Sequence, residues 1–478
     1  MTNPATVTNK LGTERIGKLI WDYSLPAIVG TVVMSLYNII DRIFIGQGVG
    51  PLAISGLALT FPFMILLMAF GMLIGAGSAA RISITLGEGN RDKAEKILAN
   101  AFTLTIIISG TAVILSYIFM SDVLRLFGGT EKTIHYAEDF MRVIIPGGVF
   151  SALSFGFNNI MRASGYPRKA MYVMIICAIL NTILDPIFIF WFHWGIQGTA
   201  FATDISYIVG TIWVLSHFTK KNSNLRFYRK YFRLEKDIVL SIISIGMSPF
   251  SMQLATSLVI VVINSTLIHY GGDLAIGAFG IINSVNTLVI MFIIGLNQGT
   301  QPIVGYNFGA KMYDRMFRTL KYAVITATCL TTIGFSIGTF MPTIIASFFT
   351  RDVELQAIAS KALRISVIMF PIIGSQIVIT NFFQSIGKAK ISILLSLTRQ
   401  FLFLIPCLLI LPPIFGLTGA WSAMPVSDGL SAIIATSTIL YFIPRFKHKA
   451  TIQDINAKIK SKNRKLSNQY GSGLIPNK

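Results

Sequence analysis

Apolar residues along this chain come in long runs rather than in alternation. Runs of about 20 or more mostly apolar residues are long enough to cross a bilayer core as a helix. They fall near 19–45, 52–80, 97–120, 137–162, 170–192 and 197–218, then near 239–268, 274–306, 320–349, 357–385, 391–411 and 417–443. Charged residues cluster in the short stretches between them. No run alternates apolar with polar, which argues against a transmembrane β-barrel. Many runs contain Gly or Pro, which membrane helices tolerate where neighbours satisfy the freed backbone groups. The pattern predicts an all-α membrane protein of twelve transmembrane helices.

Composition sharpens this by exclusion. Of 478 residues, 53% are hydrophobic and 13% charged, and the mean hydropathy is +0.67. An average soluble domain carries about 25% charged residues. A soluble α/β enzyme, a disordered chain and a disulfide scaffold are excluded. The net charge of +20 does not mark a nucleic-acid partner, because no basic patch interrupts the apolar runs. Cys177, Cys329 and Cys407 all lie inside apolar runs, too few and too scattered for a disulfide framework or a zinc site. The polar N-terminus through Leu11 lacks a basic region followed by a short apolar core, so insertion is expected to rely on the spans and not on a cleaved signal peptide.

Lysine and arginine set the orientation, since basic loops stay in the cytoplasm. With both termini cytoplasmic, 32 of the 40 basic residues fall on that side. They include Arg81, Arg91, Lys93 and Lys96, then Arg162, Arg168 and Lys169, a basic connector over 220–236, and nine residues after Pro444. Six fall opposite (Arg125, Lys132, Arg142, Arg351, Lys361 and Arg364), while Arg42 and Arg399 lie within or at the edge of spans. The connector reads as an amphipathic linker on the inner membrane surface, and the basic tail as a solvated topology signal.

The chain repeats itself. GAGSAARISITLGEGNRDKAEKIL (75–98) aligns without gaps on NQGTQPIVGYNFGAKMYDRMFRTL (297–320), so that Gly77, Gly87 and Asp92 fall on Gly299, Gly309 and Asp314. At nearly the same offset SLPAIVG (24–30) pairs with GMSPFSM (246–252), RASGYPRKA (162–170) with QSIGKAKIS (384–392), and GIQGTA (195–200) with GLTGAW (416–421). The expected organisation is an N-terminal six-helix lobe (1–218), a cytoplasmic basic linker (219–238), a C-terminal six-helix lobe (239–443) and a basic cytoplasmic tail (444–478). Six spans per half is an even number, so the halves share one orientation and are related by an axis along the membrane normal. Such repeats are typical of secondary transporters, with a site near the midplane. No GxxxxGK[ST] loop is present, which argues against ATP as the power source.

A charge at the bilayer centre costs ~2.5–3.5 kcal/mol on insertion scales, so each one calls for an explanation. Four carboxylates lie well inside spans: Asp41, Asp185, Asp204 and Asp428. The repeat sets Asp41 opposite Asn264 and Asp185 opposite Ile405, so coupling-ion chemistry is expected in the N-terminal half alone. Tyr37 and Asn38 share a helical face with Asp41, and Asn181 with Asp185. Together with Thr203 on the sixth span they make an oxygen-only set. Such a set suits a hard cation, and paired buried carboxyls equally suit a proton. Asp204 and Asp428 read either as functional groups or as helix–helix hydrogen-bonding residues. Pro26, fifteen residues before Asp41, permits a bend in the first span. The 35 Phe and 18 Met suit a cavity for apolar cations of varied shape, although most of them are expected to face lipid or neighbouring helices.

Taken together, SLPAIVG with Asp41, GAGSAARISITLGEGN, RASGYPRKA, NTILDPIFIF, GTAFATDIS, QGTQPIVGYNFGA and GLTGAWSAMPVSD resemble the multidrug and toxic compound extrusion (MATE) family, nearest its DinF-like and MepA-like bacterial branch. The resemblance covers nearly all of 15–445. It implies a V-shaped pair of pseudo-symmetric six-helix bundles exporting organic cations against a sodium or proton gradient. It also implies a cation pocket on Asp41, Asn181, Asp185 and Thr203, holding a monovalent cation if sodium couples, with Tyr37 and Asn158 lining the substrate path of the same lobe. Two positions depart from the pattern: Gln298 is neutral where some relatives carry Glu, and Asp204 stands where relatives have a small residue.

These readings converge on a cation-coupled (Na+ or H+) antiporter of the cell inner membrane, not an enzyme, exporting cationic amphipathic small molecules. No cofactor beyond the coupling ion, no nucleic acid and a monomeric state are expected. The alternative is a flippase for lipid-linked saccharides built on the same architecture.

Overall fold

The computed structural model describes residues 10–49, 51–126 and 134–470, without the side chains of Asn38, Arg42, 51–56, Ala58, Pro62 and 447–470. Lys132 therefore lies outside the described residues, as do 471–478 of the basic tail. In the first half the spans are α1 (Ile16–Gly48), α2 (Pro51–Gly87), α3 (Arg91–Ile118), α4 (Ile134–Ala163), α5 (Pro167–Pro186, continued by a π-helical turn Ile187–Trp191) and α6 (Gly195–Thr219).

Among the described residues, nine helices are long and apolar enough to cross a membrane on their own. A tenth crossing, α10, is the pair Val353–Ser366 and Phe370–Ser385, bent by 55°. Two of the nine are too long for one crossing. Lys236–Gly309 has 74 residues, about 110 Å at 1.5 Å per residue, against a hydrocarbon core of about 30 Å. It breaks at Gly272, whose φ of 63° is a conformation that glycine adopts without steric cost. Residues on both sides of the break (Val259, Ile263 and Leu267; Ala278 and Ile282) share one apolar cluster, so the chain doubles back there into α7 (236–271) and α8 (273–309). Ala389–Phe446 breaks likewise at Gly416, φ 59°, into α11 (389–415) and α12, which runs on past the membrane to Tyr470. With α9 (Tyr313–Phe340), counting each broken helix as two gives twelve crossings.

The halves meet where the repeat is strongest. Gly87 of α2 lies against the Tyr306 carbonyl of α8, and Gly309 of α8 lies against the Ile84 carbonyl of α2, with no room for a Cβ at either. At the repeat offset of 222 these two contacts are one contact, made twice. Gly77 against α7 at Gly246, and Gly299 against α1 at Ser24, form a second such pair. The seam is closed by backbone approach, as small residues allow between membrane helices.

The segment before each half is strapped to the opposite half. Residues 10–15, ahead of α1, sit on α8 and α9: Asn307 donates to the Leu11 carbonyl at 3.1 Å, and Arg315 to those of Leu11 (3.2 Å) and Glu14 (2.6 Å). The connector ahead of α7 sits on α3: the Asn100 amide donates to the Tyr231 and Arg233 carbonyls, each at 3.2 Å, and accepts from the Glu235 N–H at 2.8 Å. Thr103 adds a bond to the Phe232 carbonyl at 3.1 Å, and Leu225 is fully buried. The connector is thus a folded strap with a single 3-10 turn at Arg229–Tyr231.

Candidate functional site

Three helices of the N-terminal half bring the site together. Asn181 and Asp185 stand one turn apart on α5, facing the bundle, and are 2% and 0% exposed. Their helix ends at Pro186 and passes into the π turn Ile187–Trp191, a local unwinding common at functional positions. With its amide nitrogen turned to the carboxylate, Asn181 donates to Asp185 Oδ2 at 2.9 Å and accepts from Thr203 Oγ1 at 3.1 Å. Thr203 comes from α6 and is buried. From α1, the carboxyl of Asp41 comes close enough to that of Asp185 for the two to interact. The two carboxyls thus stand together where α1 meets α5.

Tyr37, one turn before Asp41, hydrogen-bonds the hydroxyl of Tyr207 on α6, and Tyr207 bonds Ser151 on α4. Met34, Tyr37, Cys177, Asn181, Thr203, Ser206 and Tyr207 enclose a cavity of ≈ 10 Å³, the room of about one ordered water. Beside this cavity the site offers oxygen from two carboxyls, one amide and a hydroxyl. No cluster of three or more His, Cys, Asp or Glu suited to a transition metal occurs among the described residues. The side chain of Asn38, predicted on the Asp41 face, lies outside the described residues.

The other predicted residues fall elsewhere. Pro26 is buried on α1 where that helix crosses α8, between Ser24, which donates to the Leu296 carbonyl at 3.3 Å, and Ile28, which abuts Gly295. Asn158 is buried on α4, donates to the Ala170 carbonyl at 2.7 Å and accepts from Arg162, so its amide faces α5 and Arg162 rather than the carboxyl pair. Asp204 turns its carboxyl to Gly147 of α4, where a Cβ would collide with it. Its Oδ1 is buried without a hydrogen-bond partner among the described residues. Asp428 is the partner of Arg399, 2.7 Å away, an ion pair inside the C-terminal half.

Arg162 corrects one sequence expectation. Counted with the cytoplasmic loop charges, it is in fact 3% exposed and donates to Asn158 on its own helix and to Gln298 on α8. Position misled here: Arg162 lies in the last turn of α4, beside a chain reversal at 164–166, where a basic side chain ordinarily snorkels to water. This one is covered by the other half instead. Tyr207 and Ser151 were also missed, because hydroxyl residues in membrane helices are too common to single out by spacing.

Comparisons with known proteins bear on the family and the fold. A model of the MatE family matches residues 26–187 and again 249–410, the same unit twice at an offset of 223. The chain belongs to the MATE family. Its members are multi-pass membrane transporters, not enzymes, and the all-helical fold is theirs. Among relatives, the "Multidrug export protein MepA" of Staphylococcus haemolyticus (strain JCSC1435) is 25% identical over 437 residues, 91% of this chain and 95% of that one. The protein of the same name from Staphylococcus aureus (strain NCTC 8325 / PS 47) is 27% identical over 431 residues, 89% and 94%. Among solved structures, one described as "MATE in the bent conformation" superposes with a TM-score of 0.88 at 22% identity, covering 94% of this chain and 100% of that one.

Proposed function

We propose that this MATE protein is an antiporter that exports cationic, amphipathic small molecules across the cell inner membrane in exchange for Na+ or H+. The observation that carries the reading is the Asp41–Asp185 carboxyl contact, braced by Asn181 and Thr203. The relatives named as multidrug export proteins support the direction and the cargo. In this reading Asp41, Asn181, Asp185 and Thr203 hold the coupling ion, and Tyr37 fixes the α1 face that presents Asp41. The ion is cargo, and its oxygens are supplied by three helices. Occupancy therefore ties α1 to α5 and α6. An organic cation that draws on the same carboxyls competes with the ion, and exclusive occupancy gives exchange. Pro26 lets the outer part of α1 move with the site while its inner part stays on α8.

Both termini face the cytoplasm in this reading, on the basic-loop evidence, and one chain suffices as a monomer, since its two halves supply the symmetry themselves. A flippase for lipid-linked diphosphates is less well supported: Arg399 is neutralised by Asp428 and Arg162 is committed to Asn158 and Gln298. The test is ethidium efflux from proteoliposomes with a sodium gradient or a pH gradient imposed separately. Efflux under one of them names the ion; none under either sinks the proposal.

A further inference from the structure

The strap ahead of α7 has a face that the transport reading does not use. Residues 226–237 carry five basic side chains (Arg226, Arg229, Lys230, Arg233 and Lys236) and two acidic ones, Glu235 and Asp237. The acids are accounted for. Glu235 pairs with Lys96 at 3.1 Å, and Asp237 lies in the first turn of α7, where a carboxylate offsets the exposed N–H groups. The nearby Asp92 takes the Tyr231 hydroxyl. Arg229, Lys230, Arg233 and Lys236 are all exposed, and none has a carboxylate within ion-pair distance among the described residues.

These cations are not on a loose loop. Asn100 and Thr103 hold the backbone from Tyr231 to Glu235, and the rings of Phe227 and Phe232 sit 5.7 and 5.8 Å from that of Phe102. The anchor fixes the depth of the strap. Asn100 lies nine residues into α3, about 13 Å along it, beside the first apolar turn at Ile97 and Leu98. Read with its basic residues on the cytoplasmic side, the strap lies near the cytoplasmic end of α3, where a span of that length leaves the hydrocarbon. Tyr228 and Leu234, 36% and 38% exposed, add apolar surface at that level, as interfacial aromatic and aliphatic residues do.

We infer that the strap's outer face, built on Arg229, Lys230 and Arg233, is a docking surface for the headgroups of anionic phospholipids. The phosphate of a lipid held in the bilayer meets three exposed cations, Lys230 among them lying 4.6 Å from the Tyr231 ring, while Tyr228 and Leu234 meet its glycerol and upper acyl carbons. A soluble phosphate would gain the charge but not the apolar contact. Because the strap leads directly into α7, lipid bound there steadies the first turn of the second half. The inference is independent of the coupling ion and the drug cargo, and survives if the antiport reading fails.

The test uses the full-length protein in vesicles of phosphatidylcholine alone and mixed with phosphatidylglycerol, reading thermal midpoint and, by native mass spectrometry, the number of lipids retained. Phosphatidylglycerol is expected to raise both. The variant Arg229→Gln/Lys230→Gln/Arg233→Gln is expected to match the wild type in phosphatidylcholine and to lose the phosphatidylglycerol increment. Each cation removed should weaken phosphatidylglycerol binding about fivefold, from ~1 kcal/mol per basic residue at an anionic surface. Should the triple variant not fold, Arg229→Gln and Arg233→Gln singly carry the same comparison. An undiminished increment in the variants would overturn the inference, as would an equal stabilisation by soluble glycerol phosphate.

Discussion

Four side chains carry the central claim, and they do not carry it equally. In the proposed site Asp41 and Asp185 supply the charge, and Asn181 and Thr203 orient it. Losing the Thr203 hydroxyl removes one hydrogen bond to Asn181, about 1 kcal/mol net. Thr203→Ala should therefore raise the coupling-ion concentration for half-maximal transport about fivefold, and Thr203→Ser should restore it; equal half-saturation in all three would remove Thr203 from the site. Asp204 is a contrasting case. It fills the space that Gly147 leaves, so Gly147→Leu should lower the thermal midpoint and Asp204→Ala should recover part of that loss in the double variant. Independent, additive losses would mean the two are not in contact. At this scale the sequence was informative where spacing has meaning: Asn181 and Asp185 are one helical turn apart, and the repeat exposes Asp41 and Asp185 as unmatched. It was silent where meaning depends on what covers a residue, as with Arg162, a loop charge by position and a buried interface charge in fact.

Among the elements, the seam between halves is the part most exactly specified by small residues. Gly246 leaves no room for a Cβ against the Leu73 carbonyl, while Gly110 has nothing within 4 Å. Gly246→Leu should thus reduce folded protein in the membrane by size-exclusion yield, and Gly110→Leu should not; equal yields would mean the seam is not packed as described. Across the same seam runs the Arg162–Gln298 bond. Gln298→Ala removes it and leaves Arg162 with Asn158 alone, so halves that separate on this face should do so more readily. The check is alkylation of a cysteine at Ser24, which should quicken in the Gln298→Ala background; an unchanged rate would deny the bond a role in closure. The helices themselves were legible from apolar runs, with instructive errors. The second span was expected to end at 80 but continues to Gly87, because Ser83 and Gly87 pack against α8 rather than lipid and, with Arg81, fall below a lipid-based criterion. The ninth was expected over 320–349; it starts at Tyr313, ends at Phe340 and gives way to a separate short helix from Pro342, since proline opens a helix more readily than it continues one.

For the whole molecule, the reciprocal straps were the least legible feature, since each depends on carbonyl groups meeting an amide or guanidinium far away in the chain. Residues 10–15 rest on the second half and 225–235 on the first, so each half is tied to the other ahead of its first helix. Asn100→Ala and Arg315→Ala each remove several of these bonds from different places. Both should lower the thermal midpoint, and their effects should add in the double variant, as distant independent sites do; a double variant no worse than either single one would show that the two straps act as one. What ties the molecule together functionally is narrower. Two pseudo-symmetric halves share a seam, but among the described residues only the first brings two carboxyls together, and the proposed exchange is assigned to that pair. The direct measurement is ethidium efflux from proteoliposomes under an imposed sodium or proton gradient, comparing the wild type with Asp41→Asn at equal amounts of correctly inserted protein. Gradient-driven efflux in the wild type and its loss in Asp41→Asn is the predicted result; efflux that Asp41→Asn retains in full would contradict the account.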